Sequence, residues 1–109
     1  MTLDLDELIG FKDHNPNPIT KETVDFVKDV LLQLSEFNKY FNGCYPHGDG
    51  GISLEYQLNM VEFLDIIVQS NKTFDIVHTV EELTDWRILD EKYNTTLEEI
   101  IKCVKQNIQ

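Results

Sequence analysis

A chain of 109 residues is long enough to close one hydrophobic core but not two, and 41% apolar with 10% aromatic residues excludes a disordered chain. Twenty Asp and Glu against nine Lys and Arg give a formal net charge of -11. This charge argues against direct nucleic-acid binding, since a reader of phosphates needs a basic stripe, and it favours a basic protein surface as partner unless it serves solubility alone. No apolar stretch approaches the roughly 18 to 20 residues that span a bilayer, and Met1-Thr2-Leu3-Asp4-Leu5-Asp6-Glu7 is acidic where a signal peptide is basic, so a cytoplasmic protein without membrane contact is expected.

In chain order, Leu3, Leu5, Leu8, Ile9 and Phe11 form an apolar lead-in that can start as a short helix. Lys12-Asp13-His14-Asn15-Pro16-Asn17-Pro18 then reads as a loop. Thr20 is a helix N-cap, with Glu22 in the positive first turn and Ile19 and Val24 placed as a hydrophobic staple. Val24, Val27, Leu31 and Leu34 recur at helical spacing and Phe37 and Phe41 continue the stripe, so one long amphipathic helix is expected over residues 21–41, stopped by Asn42-Gly43.

Pro46, Gly48, Asp49, Gly50 and Gly51 predict a turn-rich break. Ile52, Leu54, Tyr56 and Leu58 then alternate with Ser53, Glu55, Gln57 and Asn59, the pattern of a half-buried strand. Residues 61–68 form its hairpin partner, with Leu64, Ile66 and Val68 on one face, and Ser70-Asn71-Lys72 turns into a third strand over residues 73–77. Residues 79–94 divide between two readings. Thr79 with Glu82 matches a capping box and favours a short helix, while Asp85-Trp86-Arg87-Ile88-Leu89-Asp90 also fits a fourth strand. Thr95 with Glu98 forms another capping box, and Leu97, Ile100, Ile101, Val104 and Ile108 stripe a C-terminal helix. The expected architecture is a single α+β domain over residues 1–109. It has a long N-terminal helix, a three-stranded antiparallel meander and a C-terminal helix, with a single layer of helices on one sheet face.

No catalytic constellation emerges. His14, His47 and His78 stand in unrelated contexts without a GxSxG elbow, and Gly48-Asp49-Gly50-Gly51 leads into a strand where phosphate-cradling loops open a helix. Cys44, His47 and Asp49 lie close in sequence but need a further ligand to hold a metal, and loop chemistry explains them better. Cys44 and Cys103 lack redox or zinc spacing, so free thiols are expected. No enzyme activity, cofactor or metal is expected.

The carboxylates offer more. Glu55, Glu62 and Asp65 can face one another across the hairpin, or sit diagonally on a solvated face with no special role. Carboxylates spaced along one sheet face and the nearby helix can imitate the charge spacing of a phosphate backbone, and Asp75 on the third strand is a further candidate. Trp86 beside Arg87 is either a core residue or an interface anchor. Glu55, Glu62, Asp65, Asp75 and Trp86 are therefore the candidate partner-binding residues.

Asn17-Pro18-Ile19-Thr20-Lys21-Glu22-Thr23, a helix, and then Asp49-Gly50-Gly51-Ile52-Ser53-Leu54-Glu55-Tyr56 resembles a loose group of small bacterial and mobile-element proteins. That group shares a Pro-Ile-Ser/Thr helix start and an Asp-Gly-Gly-Ile-x-Leu-Glu-Trp strand motif. The resemblance covers roughly residues 15–78, with Tyr56 at the Trp position and no Trp-Asp-Gly before the helix. It implies an α+β domain with a toxin-neutralising (antitoxin), immunity or phage counter-defence role, and it carries over no catalytic residue. The resulting expectation is a small acidic inhibitor, in the manner of an anti-CRISPR-like DNA mimic or immunity protein, that occludes a basic partner such as a nuclease, toxin or defence effector. The competing expectation is a protein-interaction or homo-oligomeric assembly module using an apolar patch.

Overall fold

The computed structural model describes residues 5–12 and 17–107. Leu3, His14, the Asn15-Pro16 part of the predicted loop and Ile108 lie outside the described residues. Leu5–Leu8 forms a 3-10 helix with Leu5 and Leu8 buried. Helix α1 spans Lys21–Gln33. Its start follows the sequence pattern: the Thr20 hydroxyl accepts from the Thr23 N–H at 3.1 Å, and the staple residues Ile19 and Val24 are both buried.

The expected long helix over 21–41 ends early. Leu34 caps α1, a 3-10 helix takes Ser35–Tyr40, and strand β1 begins at once as Phe41–His47. The apolar stripe misleads here because the step from Leu34 to Phe37 is three residues, which suits a 3-10 turn as well as an α-turn. Both residues reach the core either way.

The sheet has five antiparallel strands in the order β1-β2-β3-β4-β5, which corrects the three-stranded meander. The others are β2 Gly51–Gln57, β3 Glu62–Val68, β4 Phe74–Glu82 and β5 Asp85–Thr95. The residues read as a break at Pro46 belong to β1. A proline survives there because β1 is an edge strand, where a missing N–H costs no ladder bond on the open side. The short helix favoured within 79–94 is likewise overturned: Thr79 and Glu82 lie in β4, and β5 returns beside it. Their hairpin turns on Leu83-Thr84, with Leu83 at φ 54.

Gly51 closes the β1–β2 turn under tight contact. A Cβ there would meet the His47 carbonyl oxygen at 2.8 Å and that of Val68 at 3.0 Å. Helix α2 spans Leu97–Asn107. Its cap is one residue later than the predicted Thr95, because the Thr96 hydroxyl accepts from the Glu99 N–H at 3.3 Å.

One core lies on one face of the sheet. Ile52, Leu54 and Tyr56 stand opposite Val68, Ile66 and Leu64, and Phe74 and Ile76 extend the same face. Val24, Val27 and Val30 of α1 and Ile100 and Val104 of α2 pack into that cluster. Burying each such side chain contributes about 1.5 to 3 kcal/mol. Both helices therefore join the inner face, and the opposite, outer face of the sheet contributes nothing to the cluster. No helix among the described residues is long and apolar enough to cross a membrane.

Candidate functional site: the open face of the sheet

The residues between the core positions define the outer face, because successive side chains of a strand point to opposite sides. Register then decides which of them meet. Glu55 of β2 stands directly opposite Asp65 of β3. On the far side of Asp65 lies Val77, and beyond it Glu91 of β5. The neighbouring row runs from Gln57 through Phe63 and Thr79 to Ile88, and Trp86 follows opposite Glu81. Phe63 and Trp86 meet edge to face, with ring centroids 5.3 Å apart.

These rows enclose a depression of about 230 Å³ lined by Glu55, Phe63, Asp65, Thr79 and Trp86. Its electrostatics follow from the register. Residues directly opposite in an antiparallel pair have Cβ atoms about 5 Å apart, and like charges placed so are destabilising. Burial first, and then the facing Glu55 carboxylate, push the Asp65 carboxyl up from its ordinary 3.8 to about 6. Glu55 accepts from the neutral Asn42 amide at 2.6 Å. Among the described residues neither carboxylate belongs to an ion pair. Arg87 is tied to Glu82 at 2.7 Å.

The structure brings three of the five candidate residues together and separates two. Glu55, Asp65 and Trp86 line the depression. Asp75 shares the outer face but is engaged at both oxygens, accepting from the Gln69 amide at 2.7 Å and the Asn94 N–H at 2.9 Å. Glu62 alternates with Leu64 and Ile66 and so lies on the inner side, 3.0 Å from Nε2 of His78. Trp86 is 54% exposed and is not in the core cluster. Phe63 and Thr79 were missed. Phe63 falls out of phase with Leu64, Ile66 and Val68, which marks an aromatic on a wet face. Thr79 reads as the start of a capping box with Glu82, which hides its place on a strand.

Cys44 faces the core, while His47, an odd number of residues along β1, belongs to the opposite face. Asp49 accepts from the Asn17 N–H at 2.9 Å and the Asn17 side-chain amide at 2.7 Å. Cys44 and Cys103 are buried and unbridged, and burial raises both thiols above their ordinary range. No group of three or more His, Cys, Asp or Glu able to hold a metal occurs among the described residues. No protein-family model, curated protein or solved structure gives a significant match to the chain.

Proposed function

We propose that this chain is a non-enzymatic, acidic protein inhibitor that seats a basic surface of its partner on the open face of the sheet. It blocks that surface by bulk and by charge. The observation carrying this reading is the opposed Glu55–Asp65 pair on the face of the sheet opposite the core cluster. Like charges set opposite each other cost stability, and a cationic partner offsets that cost. A net charge of -11 steers such a partner at long range. A nuclease, toxin or defence effector presents the required basic groove, and the mobile-element resemblance of residues 49–56 points the same way.

The test is capture from a lysate treated with nuclease, at low and high salt, using the wild type and a Glu55→Lys/Asp65→Lys variant. A protein partner held by the wild type, released by salt and lost in the variant is expected, with an association rate that falls as ionic strength rises. A partner retained by the variant, or an association rate unchanged by salt, would overturn the reading.

Strand β5 favours a second reading, assembly through its free edge. It is an eleven-residue edge strand, exposed from Asp85 to Asn94, with Trp86, Ile88 and Tyr93 all more than half exposed. Light scattering that gives a dimer, and a monomer after Ile88→Lys, would support it over the inhibitor.

A further inference from the structure

A basic surface offers two kinds of cation, and they need different receptors. The lysine ammonium is compact and strongly hydrated, and it pairs with carboxylates as a point charge. The arginine guanidinium is planar and more weakly hydrated. It takes carboxylates through a fork of N–H donors and stacks against aromatic rings.

The depression runs across β2 to β5 on the open face and carries both elements that arginine uses. Along one side, Glu55 and Asp65 lie directly opposite each other. Along another, Phe63 and Trp86 form a half-exposed aromatic wall with centroids 5.3 Å apart. The aromatic wall is independent of the acidic pair: a site for a hydrated ammonium or a divalent ion has no use for it. A calcium ion takes six to eight oxygen ligands, and Phe63 and Trp86 are not oxygen donors. The two cations of β5 are engaged elsewhere, with Arg87 on Glu82 and Lys92 nearest Glu99.

We propose that this depression is a receptor for one arginine side chain of the partner, its guanidinium held between Asp65 and Glu55 and stacked against Trp86. The inference rests on the reading of the open face as the partner-binding surface and assigns that surface its anchor. Thr79 adds a hydroxyl to the lining, able to accept a further N–H.

Trp86 is the sole tryptophan, so its fluorescence reports directly on the depression. The probes are blocked oligo-arginine, oligo-lysine and oligo-citrulline peptides of equal length, titrated at low salt by fluorescence and by calorimetry. Citrulline keeps the shape of arginine and removes its charge. The arginine peptide is expected to shift Trp86 emission saturably and to bind about 10-fold more tightly than the lysine peptide, with the citrulline peptide silent. Glu55→Gln/Asp65→Asn should weaken the arginine peptide about 30-fold and erase its preference over lysine. Glu7→Gln/Glu98→Gln removes the same charge at exposed sites elsewhere and should leave the preference intact.

Equal affinity for arginine and lysine peptides, both lost in the Glu55→Gln/Asp65→Asn variant, would remove the arginine receptor and leave the basic-partner reading standing. If that variant binds both peptides as the Glu7→Gln/Glu98→Gln control does, both proposals fall. Magnesium or calcium chloride that reproduces the saturable emission shift would identify a cation site instead. Urea melts of each variant confirm that loss of binding is not loss of fold.

Discussion

Replacing Asp65 with Asn tests the electrostatics of the open face without reference to any partner. Burial and the Glu55 carboxylate raise the Asp65 carboxyl from 3.8 to about 6. The folded chain therefore holds this proton more tightly than the unfolded chain does. Between roughly pH 4 and pH 6 the folded state binds more protons, so this group's contribution to stability falls as pH rises through that window. Above it, the ionised Asp65 is a standing cost. At about 1.4 kcal/mol per pH unit the ceiling is about 3 kcal/mol. Asp65 retains partial exposure, and solvent screening reduces the effect to about 1 to 2 kcal/mol. The charged groups on neighbouring strands fit this account. Glu55 faces Asp65 from β2, Val77 of β4 supplies no charge, and Glu91 lies one strand further. Asp65→Asn, neutral at every pH, should match the wild type at pH 4 and exceed it by about 1 to 2 kcal/mol above pH 7. Urea unfolding of both proteins from pH 4 to pH 8 measures the difference directly, and other carboxylates cancel in it. A stability difference that does not change with pH, or an Asn variant less stable at pH 7, would refute the reasoning. A variant that is more stable yet binds its partner less well is the mark of a carboxylate kept for recognition.

Three further outcomes follow from the fold. Leu83 is 99% exposed and holds a positive φ that costs a non-glycine residue about 1 kcal/mol, so Leu83→Gly should stabilise the β4–β5 hairpin by about 0.5 to 1 kcal/mol in thermal melts. Gly51→Ala should destabilise by about 2 kcal/mol or more, because its Cβ would press on two backbone oxygens with no side chain to yield, and a neutral result in urea unfolding would contradict the packing of that turn. Tyr56 is fully buried with no hydrogen-bond partner for its hydroxyl, and burial pushes that hydroxyl up to about 12. Tyr56→Phe should therefore be neutral or stabilising by up to about 1 kcal/mol, and spectrophotometric titration should show one tyrosine that ionises only as the fold is lost.

The centre of the sheet was legible because its strands bury one face. Ile52, Leu54 and Tyr56 alternate cleanly, and Leu64, Ile66 and Val68 answer them across the hairpin. Of the two edge strands, β1 was not legible and β5 only as the second of two readings, for opposite reasons. Gly43 and Pro46 make β1 look like a loop, and only its edge position and a bulge between Phe41 and Gly43 accommodate them. Strand β5 is exposed from Asp85 to Asn94, so it has no alternating burial to read, and Leu83-Thr84 lacks the Asn or Gly that announces a two-residue turn. At the site, the residue types were visible but their register was not. Sequence alone cannot separate a direct from a diagonal Glu55–Asp65 pairing, and that difference turns a solvated face into a strained one.

The placement of the cations gives the acidity a structure. Among the described residues, six of the nine Lys and Arg side chains pair with carboxylates of the helices, the 3-10 segments and the β4–β5 hairpin. Lys21 holds Asp25 on α1, Lys28 reaches Asp6, and Lys105 lies near Glu36. Exposed pairs of this kind contribute about 0 to 1 kcal/mol each, so they explain little of the stability. They do decide where charge is left over. The row from Gly43 through Glu55, Asp65 and Val77 to Glu91 contains no cation at all, and at its centre burial intensifies the field by keeping water away. A lysine placed at Val77 would relieve the strain between Glu55 and Asp65. Val77→Lys should therefore stabilise the chain above pH 6 while closing the open face to a basic partner. Stabilisation with partner binding unchanged would return the acidity to a purely solubilising role.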